Sequence, residues 1–364
     1  MKVGIIGYGT VGKATAKVLV ENVGVFSKRA STEVALKRVA ALEFSSEDEK
    51  YLQENGVLFS HDAEDVLQDE EIAIVVELVG GIEPAKSFIT SAINNRKNVV
   101  TANKALLATL DGQELFRLAY ESRTSLRYEA AVCGAIPIVN LLQDSFFGDK
   151  ILSVHGILNG TTNFILGEME NGFTQEEAIK SAQEKGYAEL DASYDIEGKD
   201  SAAKITLLAN MIFGAGAGSR TRITNKYFTV DDVNITGIQD ITSSDVIDAS
   251  KEGKIYKLLA RATPNFEEGT VELTVAPEKV DAVGVLSETN GVFNIITLKL
   301  EGAGDIAIFG LGAGGEPTAS AVVADIVRAA KARKQSQMRK ISIRNARNGI
   351  RQQPRTRRPE SDTQ

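Results

Sequence analysis

Short apolar runs alternate with stretches of helical periodicity over the first part of the chain. The helical stretches include residues 62–69 and 83–95, and the apolar runs lie at residues 2–6, 32–40, 72–81 and 97–108. Continuous apolar strands that alternate with helices are typical of a parallel sheet covered on both faces. The pattern therefore predicts an α/β fold in which residues 1–130 form a doubly wound parallel sheet.

The pattern changes after residue 130. Alternating apolar and polar positions, typical of antiparallel strands, recur at residues 151–158, 269–280 and 292–302. Helical stretches at residues 174–185 and 200–213 lie between them, so residues 131–307 are predicted to form a second, α+β domain. We expect the Gly-rich loop and helix at residues 308–330 to return to the first domain.

The charge is unevenly distributed along the chain. The net charge is −8, yet residues 328–364 carry twelve Lys and Arg and only two acidic residues. Because this end has little apolar content, residues 331–364 are predicted to form a disordered basic tail. A nucleic-acid-binding arm is the alternative, but we favour a solvated extension without a nucleic-acid partner.

Composition argues against several classes of protein. No run of eighteen apolar residues is present and no basic segment precedes the first apolar run, so we expect neither a membrane span nor a secretion signal. The single cysteine, Cys133, excludes an intrachain disulfide and a cysteine-based zinc site. These features predict a cytoplasmic protein.

A glycine-rich motif follows the first apolar run and opens a helical stretch. It reads GYGTVG over residues 7–12. In this context the first glycine allows a tight turn, the second lets a pyrophosphate approach the backbone, and the third lets helix and strand pack closely. The motif predicts a Rossmann-type dinucleotide-binding domain, with cofactor contacts from Gly7, Gly9, Thr10, Val11 and Gly12.

The second apolar run bears on the choice of dinucleotide. An acid normally follows this strand and binds the adenosine ribose of NAD. Here Lys37 and Arg38 occupy the region, and the first acid is Glu43. Because cations suit a 2′-phosphate, both lysine and arginine are predicted to bind the cofactor, with NADP(H) preferred and NAD(H) possible.

Residues 186–204 combine five carboxylates with a following lysine, Lys204. Asp200 and Lys204 are spaced to lie one helical turn apart on the same face. A surface ion pair and a Ca²⁺ or Mg²⁺ loop are alternatives, although the spacing does not match an EF-hand. The apolar helix that follows favours a pocket for an ammonium-bearing substrate, with Lys204 as the proton-transfer group.

Six segments, taken in order, resemble the homoserine dehydrogenase family. They are GYGTVG (7–12), VVTANKALLA (99–108), YEAAVCGAIPI (128–138), GILNGTTNFIL (156–166), GYAELD…DIEGKDSAAK (186–204) and GLGAGGEPTASAVVADI (310–326). The resemblance implies reversible NAD(P)H-dependent reduction of L-aspartate 4-semialdehyde to L-homoserine, in threonine and methionine biosynthesis, by a homodimer. A related amino-acid dehydrogenase and a non-catalytic dinucleotide-sensing module are the alternatives.

The resemblance also implies roles for individual residues. The catalytic residues would be Lys204 and Lys104. The substrate would contact Glu189, Asp200, Asp195, Thr161 and Gly160. Further cofactor contacts would come from Thr101, Lys104 and Gly314. A sodium ion would be held by the Glu129 side chain and the backbone carbonyls of Val132, Gly134 and Ile136, an all-oxygen set that suits a hard cation.

Two departures from the family pattern affect these expectations. Cys133 stands where family members commonly have glycine, so the sodium loop is expected to differ slightly. The chain has no room after residue 330 for the regulatory amino-acid-binding (ACT) domain of longer members. Feedback through such a domain is therefore not expected.

Overall fold

The computed structural model describes residues 1–146, 148–216 and 221–351. Six strands in these ranges form the first sheet: β1 (Lys2–Ile6), β2 (Ala35–Ala40), β3 (Leu58–Ser60), β4 (Ile72–Glu77), β5 (Asn98–Thr101) and β6 (Leu126–Arg127). Their order is β3-β2-β1-β4-β5-β6, and every pair is parallel. The order reverses between β1 and β4, where a parallel sheet opens a ligand-binding crevice at its carboxyl-terminal edge.

Helices cover both faces of this sheet. They are α1 (Thr10–Glu21), α2 (Val23–Ala30), α3 (Ser46–Glu54), α4 (Glu64–Leu67), α5 (Ala85–Asn94), α6 (Lys104–Leu107) and α7 (Leu110–Glu121). Leu19 of α1 and Leu52 of α3 pack on one face with Val39. Ile89 of α5 packs on the other face, where it meets Val99. The predicted doubly wound sheet is confirmed.

A second sheet follows in the described chain. Its strands are β7 (Ile151–Ile157), β8 (Val233–Ile235), β9 (Lys254–Asn265), β10 (Thr270–Asp281), β11 (Phe293–Leu300) and β12 (Gly304–Leu311). The order is β12-β11-β7-β9-β10-β8. The β8–β10 pair is parallel, and the other pairs of this sheet are antiparallel. The predicted α+β domain is confirmed.

Helices cover one face of the second sheet. They are α8 (Ile138–Asp144), α9 (Gly160–Glu170), α10 (Gln175–Glu184), α11 (Ser193–Ile196), α12 (Lys199–Ile212) and α13 (Ser243–Lys251). Leu208 of α12 packs in one buried cluster with Leu258 and Ile296 of the sheet. On the opposite face, Ile157, Leu259 and Ile295 form a small separate cluster. The apolar side chains of α12 are therefore held against this core, and α12 is buried from Asp200 to Ile212.

The last helix, α14 (Gly315–Arg351), returns to the first sheet as predicted. Its Val322, Ile326 and Ala330 join the cluster formed by α1 and α2. Two predicted boundaries are wrong, because residue 308 lies inside β12 and residues 331–351 continue the helix instead of forming a disordered tail. Abundant Ala, Lys, Arg and Gln favour this continuation. The rest of the predicted tail, residues 352–364, lies outside the described residues.

None of the helices described has the length and apolar content needed to cross a membrane.

Candidate active site

The glycine loop follows β1 at the carboxyl-terminal edge of the parallel sheet. Gly7 has a φ of +102°, and a Cβ there would lie 2.6 Å from the Leu78 backbone. A Cβ at Gly12 would lie 2.2 Å from the Gly7 carbonyl oxygen, whereas nothing lies within 4 Å of a Cβ at Gly9. The loop therefore requires Gly7 and Gly12, and the open space at Gly9 lets phosphates approach the N-terminus of α1, which begins at Thr10.

The segment between β12 and α14 packs against this loop. Gly314 has a φ of +115°, and a Cβ at its neighbour Gly315 would lie 3.0 Å from Thr10 Cγ2. Gly314 therefore directly precedes Gly315, the residue that lies against Thr10 of the glycine loop. This location is compatible with the predicted cofactor role of Gly314, which stays a prediction.

Lys37 and Arg38 lie away from the glycine loop, so their predicted place at the ribose is wrong. β2 continues beyond them to Ala40. The Lys37 ammonium lies 2.8 Å from Asp69 and 2.7 Å from Glu71, in the loop that precedes β4. Because this loop is at the amino-terminal edge of the sheet, the ammonium points to the edge opposite the glycine loop. Arg38 is oriented toward the same region, 4.0 Å from Asp69.

The end of β5 brings a lysine to the same edge as the glycine loop. The buried Thr101 hydroxyl donates to Glu77 at 2.6 Å and accepts from the Asn103 backbone N–H at 3.0 Å. The Asn103 side chain caps α6 by accepting from Leu106 N. Lys104 is the first residue of α6, so Thr101 and Asn103 fix the backbone from which Lys104 extends.

Three charged side chains meet where the two domains face each other. On α12, Lys204 Nζ lies 2.7 Å from Asp200 Oδ2, and the other carboxylate oxygen lies 3.2 Å from Lys104 Nζ. Lys204 also donates to the Leu158 carbonyl at 2.6 Å. Asp200 is 5% exposed and Lys204 is 6% exposed, so the surface-pair interpretation is wrong. One buried carboxylate thus holds two ammonium groups, and the cluster carries an excess positive charge.

The pKa values of this cluster favour its charged state. Burial raises the pKa of Asp200, but the Lys204 and Lys104 ammonium groups lower it by more, so the carboxyl pKa lies well below its usual range. Burial lowers the pKa of Lys204, but the charges around it, first that of Asp200, together raise it by more. The net pKa of Lys204 lies above its ordinary value. Both groups are therefore ionised at neutral pH.

Asn159 connects the carboxylates, and the sequence analysis did not include it among the site residues. Its Nδ2 donates to Asp195 at 2.7 Å and to Asp200 at 2.8 Å. Its Oδ1 accepts from Thr162 N and caps α9. An asparagine just before a helix is a recognisable capping signal, although capping alone does not reveal the two carboxylates. Burial raises the pKa of Asp195, and the neighbouring Asp200 charge adds to this rise.

The other predicted substrate residues lie on two loops beside the cluster. A Cβ at Gly160 would lie 2.5 Å from the Val292 carbonyl oxygen, so only glycine fits there. The Thr161 hydroxyl donates to the Tyr187 carbonyl at 2.7 Å and anchors the loop that carries Glu189. Glu189 is exposed, and its carboxylate contacts no partner among the described residues. The structure therefore brings Asp195, Asp200 and Lys204 together but leaves Glu189 outside the cluster.

The predicted sodium loop lies at the hinge between the domains. The buried Glu129 carboxylate accepts from the backbone N–H groups of Val139 and Asn140 at 2.9 and 2.8 Å. Burial, together with the Asp325 charge, raises the pKa of Glu129 to about 7. Within the described chain, the carbonyls of Val132 and Gly134 accept no hydrogen bond.

The fourth predicted sodium ligand, the Ile136 carbonyl, accepts a hydrogen bond from Ile138 N at 2.8 Å. Carboxylate and carbonyl oxygens are the donors that suit a hard monovalent cation. The residues present therefore fit the predicted ion.

Two family models together match nearly the whole globular chain. The model "Homoserine dehydrogenase, NAD binding domain" matches residues 7–129, and the model "Homoserine dehydrogenase" matches residues 137–327. The two matches meet near the hinge that contains Glu129. They correspond to the two sheets.

Individual relatives agree with these matches. The homoserine dehydrogenase of Lactococcus lactis is 38% identical over 92% of this chain and 75% of its own length. The crystal structure of a homoserine dehydrogenase from Thiobacillus denitrificans has a TM-score of 0.83 at 36% identity, covering 92% of this chain and 74% of that one. The S. aureus homoserine dehydrogenase structure at pH 7.5 has a TM-score of 0.74 at 30% identity, with coverages of 91% and 76%.

The matches cover both sheets, the glycine loop and the lysine–carboxylate cluster. The chain therefore belongs to the homoserine dehydrogenase family, whose members are NAD(P)-dependent oxidoreductases that act on a CH–OH group.

Proposed function

We propose that Lys104, Asp200 and Lys204 form the centre at which this enzyme reduces the aldehyde of L-aspartate 4-semialdehyde to the alcohol of L-homoserine. The observation that carries this proposal is the buried carboxylate shared by two ammonium groups. The excess positive charge suits an oxygen atom that gains negative charge during reduction. The bound nicotinamide cofactor supplies the hydride in this direction and accepts it in the reverse direction.

Lys204 is the proposed proton donor to the reacting oxygen. An ammonium group has three N–H donors, and the Leu158 carbonyl and Asp200 use two of them. The third donor is free for the substrate oxygen, since no other acceptor in the described chain bonds to Lys204 Nζ. An alkoxide is a stronger base than a lysine amine, so proton transfer to it is favourable even with the raised pKa of Lys204.

The other charged side chains of the site are assigned to the ammonium and carboxylate groups of the substrate. Asp195 Oδ1 accepts from Asn159, which leaves the other carboxylate oxygen available for the substrate ammonium group. Glu189 would join Asp195 only if its exposed loop approached the bound substrate. Lys104 is one-third exposed, so its ammonium group is accessible to the substrate carboxylate or to the reacting oxygen.

Succinic semialdehyde tests this division, because it differs from L-aspartate 4-semialdehyde only in lacking the ammonium group. We expect kcat/KM to fall about 10- to 100-fold for the analogue, since the partly buried Asp195 carboxylate is left without its cationic partner. Asp195→Ala should lose most of this discrimination. Asp191→Ala, at an exposed acid just before α11, is the matched control and should keep it. Equal discrimination by the wild type and Asp195→Ala would remove Asp195 from the ammonium site.

The proposed cofactor is a nicotinamide dinucleotide bound across the glycine loop, and the geometry favours NAD(H) over the NADP(H) preference expected from the sequence. Residues that follow β2 at the carboxyl-terminal edge carry no cation. Leu42 is 89% exposed there, and the acidic Glu43 comes next. An acid at this position suits the ribose hydroxyls of NAD, whereas a 2′-phosphate requires a cation.

Leu42→Arg should raise kcat/KM for NADPH about tenfold, because a guanidinium at the end of β2 can form a charge-assisted hydrogen bond to the 2′-phosphate. The value for NADH should change little. Val25→Arg, at a 47% exposed position on α2, adds the same charge elsewhere and serves as the control. Steady-state rates with both cofactors give the comparison. This assignment would be contradicted if the wild type preferred NADPH and Leu42→Arg did not increase that preference.

We also propose that sodium binds at Glu129 and the carbonyls of Val132, Gly134 and Ile136. The support is the buried Glu129 carboxylate, which experiences the Asp325 charge, and the Val132 and Gly134 carbonyls, which accept no hydrogen bond in the described chain. Asp325 Oδ2 accepts from Glu129 N at 2.8 Å, so α14 is tied to this hinge. A cation here would offset the repulsion between the two buried acids.

The proposed homodimer would form through the face of the second sheet that has no helices. Phe309 is 55% exposed on this face and stacks on Phe293 with ring centroids 4.7 Å apart. The Thr297 hydroxyl is buried without a partner in the described chain. An exposed phenylalanine on a sheet face that has no helices is typical of an interface. The sedimentation mass of the protein decides between monomer and dimer. The cytoplasmic location stays a prediction.

A further inference from the structure

A cavity of about 520 Å³ lies at the amino-terminal edge of the parallel sheet, opposite the glycine loop. Its walls are the loops that precede β5 and β6 and one side of α14. Three arginines, Arg96, Arg123 and Arg333, line it together with hydroxyl groups such as those of Thr124 and Ser125. The cavity is therefore polar and basic, and it is separate from the catalytic cluster.

The positive charge of this cavity is not neutralised by the protein. None of the three guanidinium groups has a carboxylate within 4.0 Å in the described ranges. Arg96 donates to the Ser122 carbonyl at 2.6 Å, and Arg333 donates to the Arg96 carbonyl at 3.0 Å. Each of these groups has five N–H donors, so most of their donors are free. Arg123 donates no side-chain hydrogen bond within the described part of the chain.

A fourth cation adds to this potential. Burial lowers the pKa of Lys97, and the nearby Arg333 charge lowers it further. Asp69 and Glu70 act in the opposite direction on Lys97. Lys97 is buried and donates to the carbonyls of Asp69 and Ile72, so it adds to the positive potential without lining the cavity.

The backbone makes the placement of two of the arginines unusual. Arg96 and Arg123 have φ values of +57° and +54°, and each follows the cap residue of a helix. At the equivalent position after four other described helices the residue is glycine: Gly56, Gly172, Gly186 and Gly253. L-residues other than glycine are disfavoured in this conformation.

A cation at a helix C-terminus complements the helix dipole, and this explains part of the arrangement. It does not explain why both arginines occupy the strained position, since a neighbouring position would serve the dipole equally well. The strained placement of both arginines fits a ligand that fills the cavity.

We propose that this cavity binds a small phosphate-bearing anion through Arg96, Arg123 and Arg333. Arginine guanidinium groups present paired donors that match phosphate oxygens. Because Arg333 belongs to α14, the ligand would hold this helix against the sheet edge. The same helix carries Asp325, which bonds to the hinge at Glu129, so ligand binding is linked to the position of the hinge.

Calorimetric titration with inorganic pyrophosphate tests the site in the full chain. The protein is saturated with NADH, so that the glycine loop is occupied, and ionic strength is matched with sodium chloride. The wild type should bind one pyrophosphate per chain, and Arg123→Gly and Arg333→Ala should each bind about tenfold more weakly or worse. Arg117→Ala, an exposed arginine on α7 that pairs with Glu121, is the matched control and should bind like the wild type.

Arg123→Gly is expected to fold, because glycine suits the left-handed backbone at this position. A loss of pyrophosphate binding in this variant is then not caused by unfolding. The thermal unfolding temperature of this variant without ligand should equal or exceed that of the wild type. No pyrophosphate binding by the folded wild type would overturn the proposal. Unchanged binding by both Arg123→Gly and Arg333→Ala would also overturn it.

Discussion

Lys204→Met is expected to lower kcat for semialdehyde reduction about 1,000-fold, the usual effect of removing a positioned general acid. Methionine matches the length and apolar stem of lysine, so the buried space on α12 stays filled. Asp200 keeps an ionic partner in Lys104, 3.2 Å away, and is not left as an unpaired buried charge. The loss should therefore be catalytic more than structural, and initial rates of NADH or NADPH oxidation measure it.

Lys199→Met is the matched control, because Lys199 is exposed on the same helix and pairs with Glu197 outside the cluster. Its kcat should remain close to that of the wild type. A Lys204→Met variant that keeps more than about a tenth of the wild-type kcat would exclude Lys204 as the proton donor, given the size of general acid effects.

Asp200→Asn should have the largest effect on stability. It removes the carboxylate that holds both ammonium groups and leaves Lys204 as an uncompensated buried cation, a change that costs about 3–5 kcal/mol of unfolding free energy. Urea unfolding at neutral pH measures this loss. Asp191→Asn, at an exposed acid just before α11, should unfold like the wild type. A stability loss in Asp200→Asn no larger than in Asp191→Asn would contradict the buried pair.

The pH dependence of the same variant follows from the pKa shifts. The pKa of Asp200 is lowered by folding, so its stabilisation is present above the unfolded pKa and is lost as pH falls through the folded value. The pKa of Lys204 is raised, so its stabilisation is present below the unfolded value and is lost as pH rises through the folded one. The stability difference between wild type and Asp200→Asn should therefore be greatest near neutral pH.

Activity should change with pH in a related way. Without Asp200, burial becomes the dominant influence on Lys204 and lowers its pKa. The pH profile of kcat/KM for Asp200→Asn should then lose activity at a lower pH than the wild-type profile does. An unchanged alkaline limb in the variant would mean that Lys204 is not the group whose ionisation controls the rate.

Both sheets could be recognised from the sequence because several of their strands show clear periodicity. The apolar runs of β1 and β4 reflect burial on both faces, and the alternation in β7, β10 and β11 reflects burial on one face. β3 and β6 were missed because strands of three and two residues are too short to show a period. β8, β9 and β12 were also missed. The helix over residues 331–351 was missed because its polar composition resembles that of a disordered segment.

The site was predicted less completely, for physical reasons. The spacing of Asp200 and Lys204 indicates a shared helix face, but it does not reveal that the face is buried. Lys104 lies almost a hundred residues away, and only the fold shows that it reaches the same carboxylate. Lys37 was misplaced because it lies inside β2, before the strand ends at Ala40, and the sequence pattern does not show which edge of the sheet its side chain reaches.

The central claim is that Lys104 and Lys204 act as one unit through Asp200. A double-mutant cycle on kcat/KM with L-aspartate 4-semialdehyde tests it most directly, using Lys104→Met, Lys204→Met and the double variant. Groups that act as a unit are strongly non-additive, so the double variant should be no more than about tenfold slower than the slower single variant. Two large single effects that multiply in the double variant would contradict the claim and show that the lysines act independently.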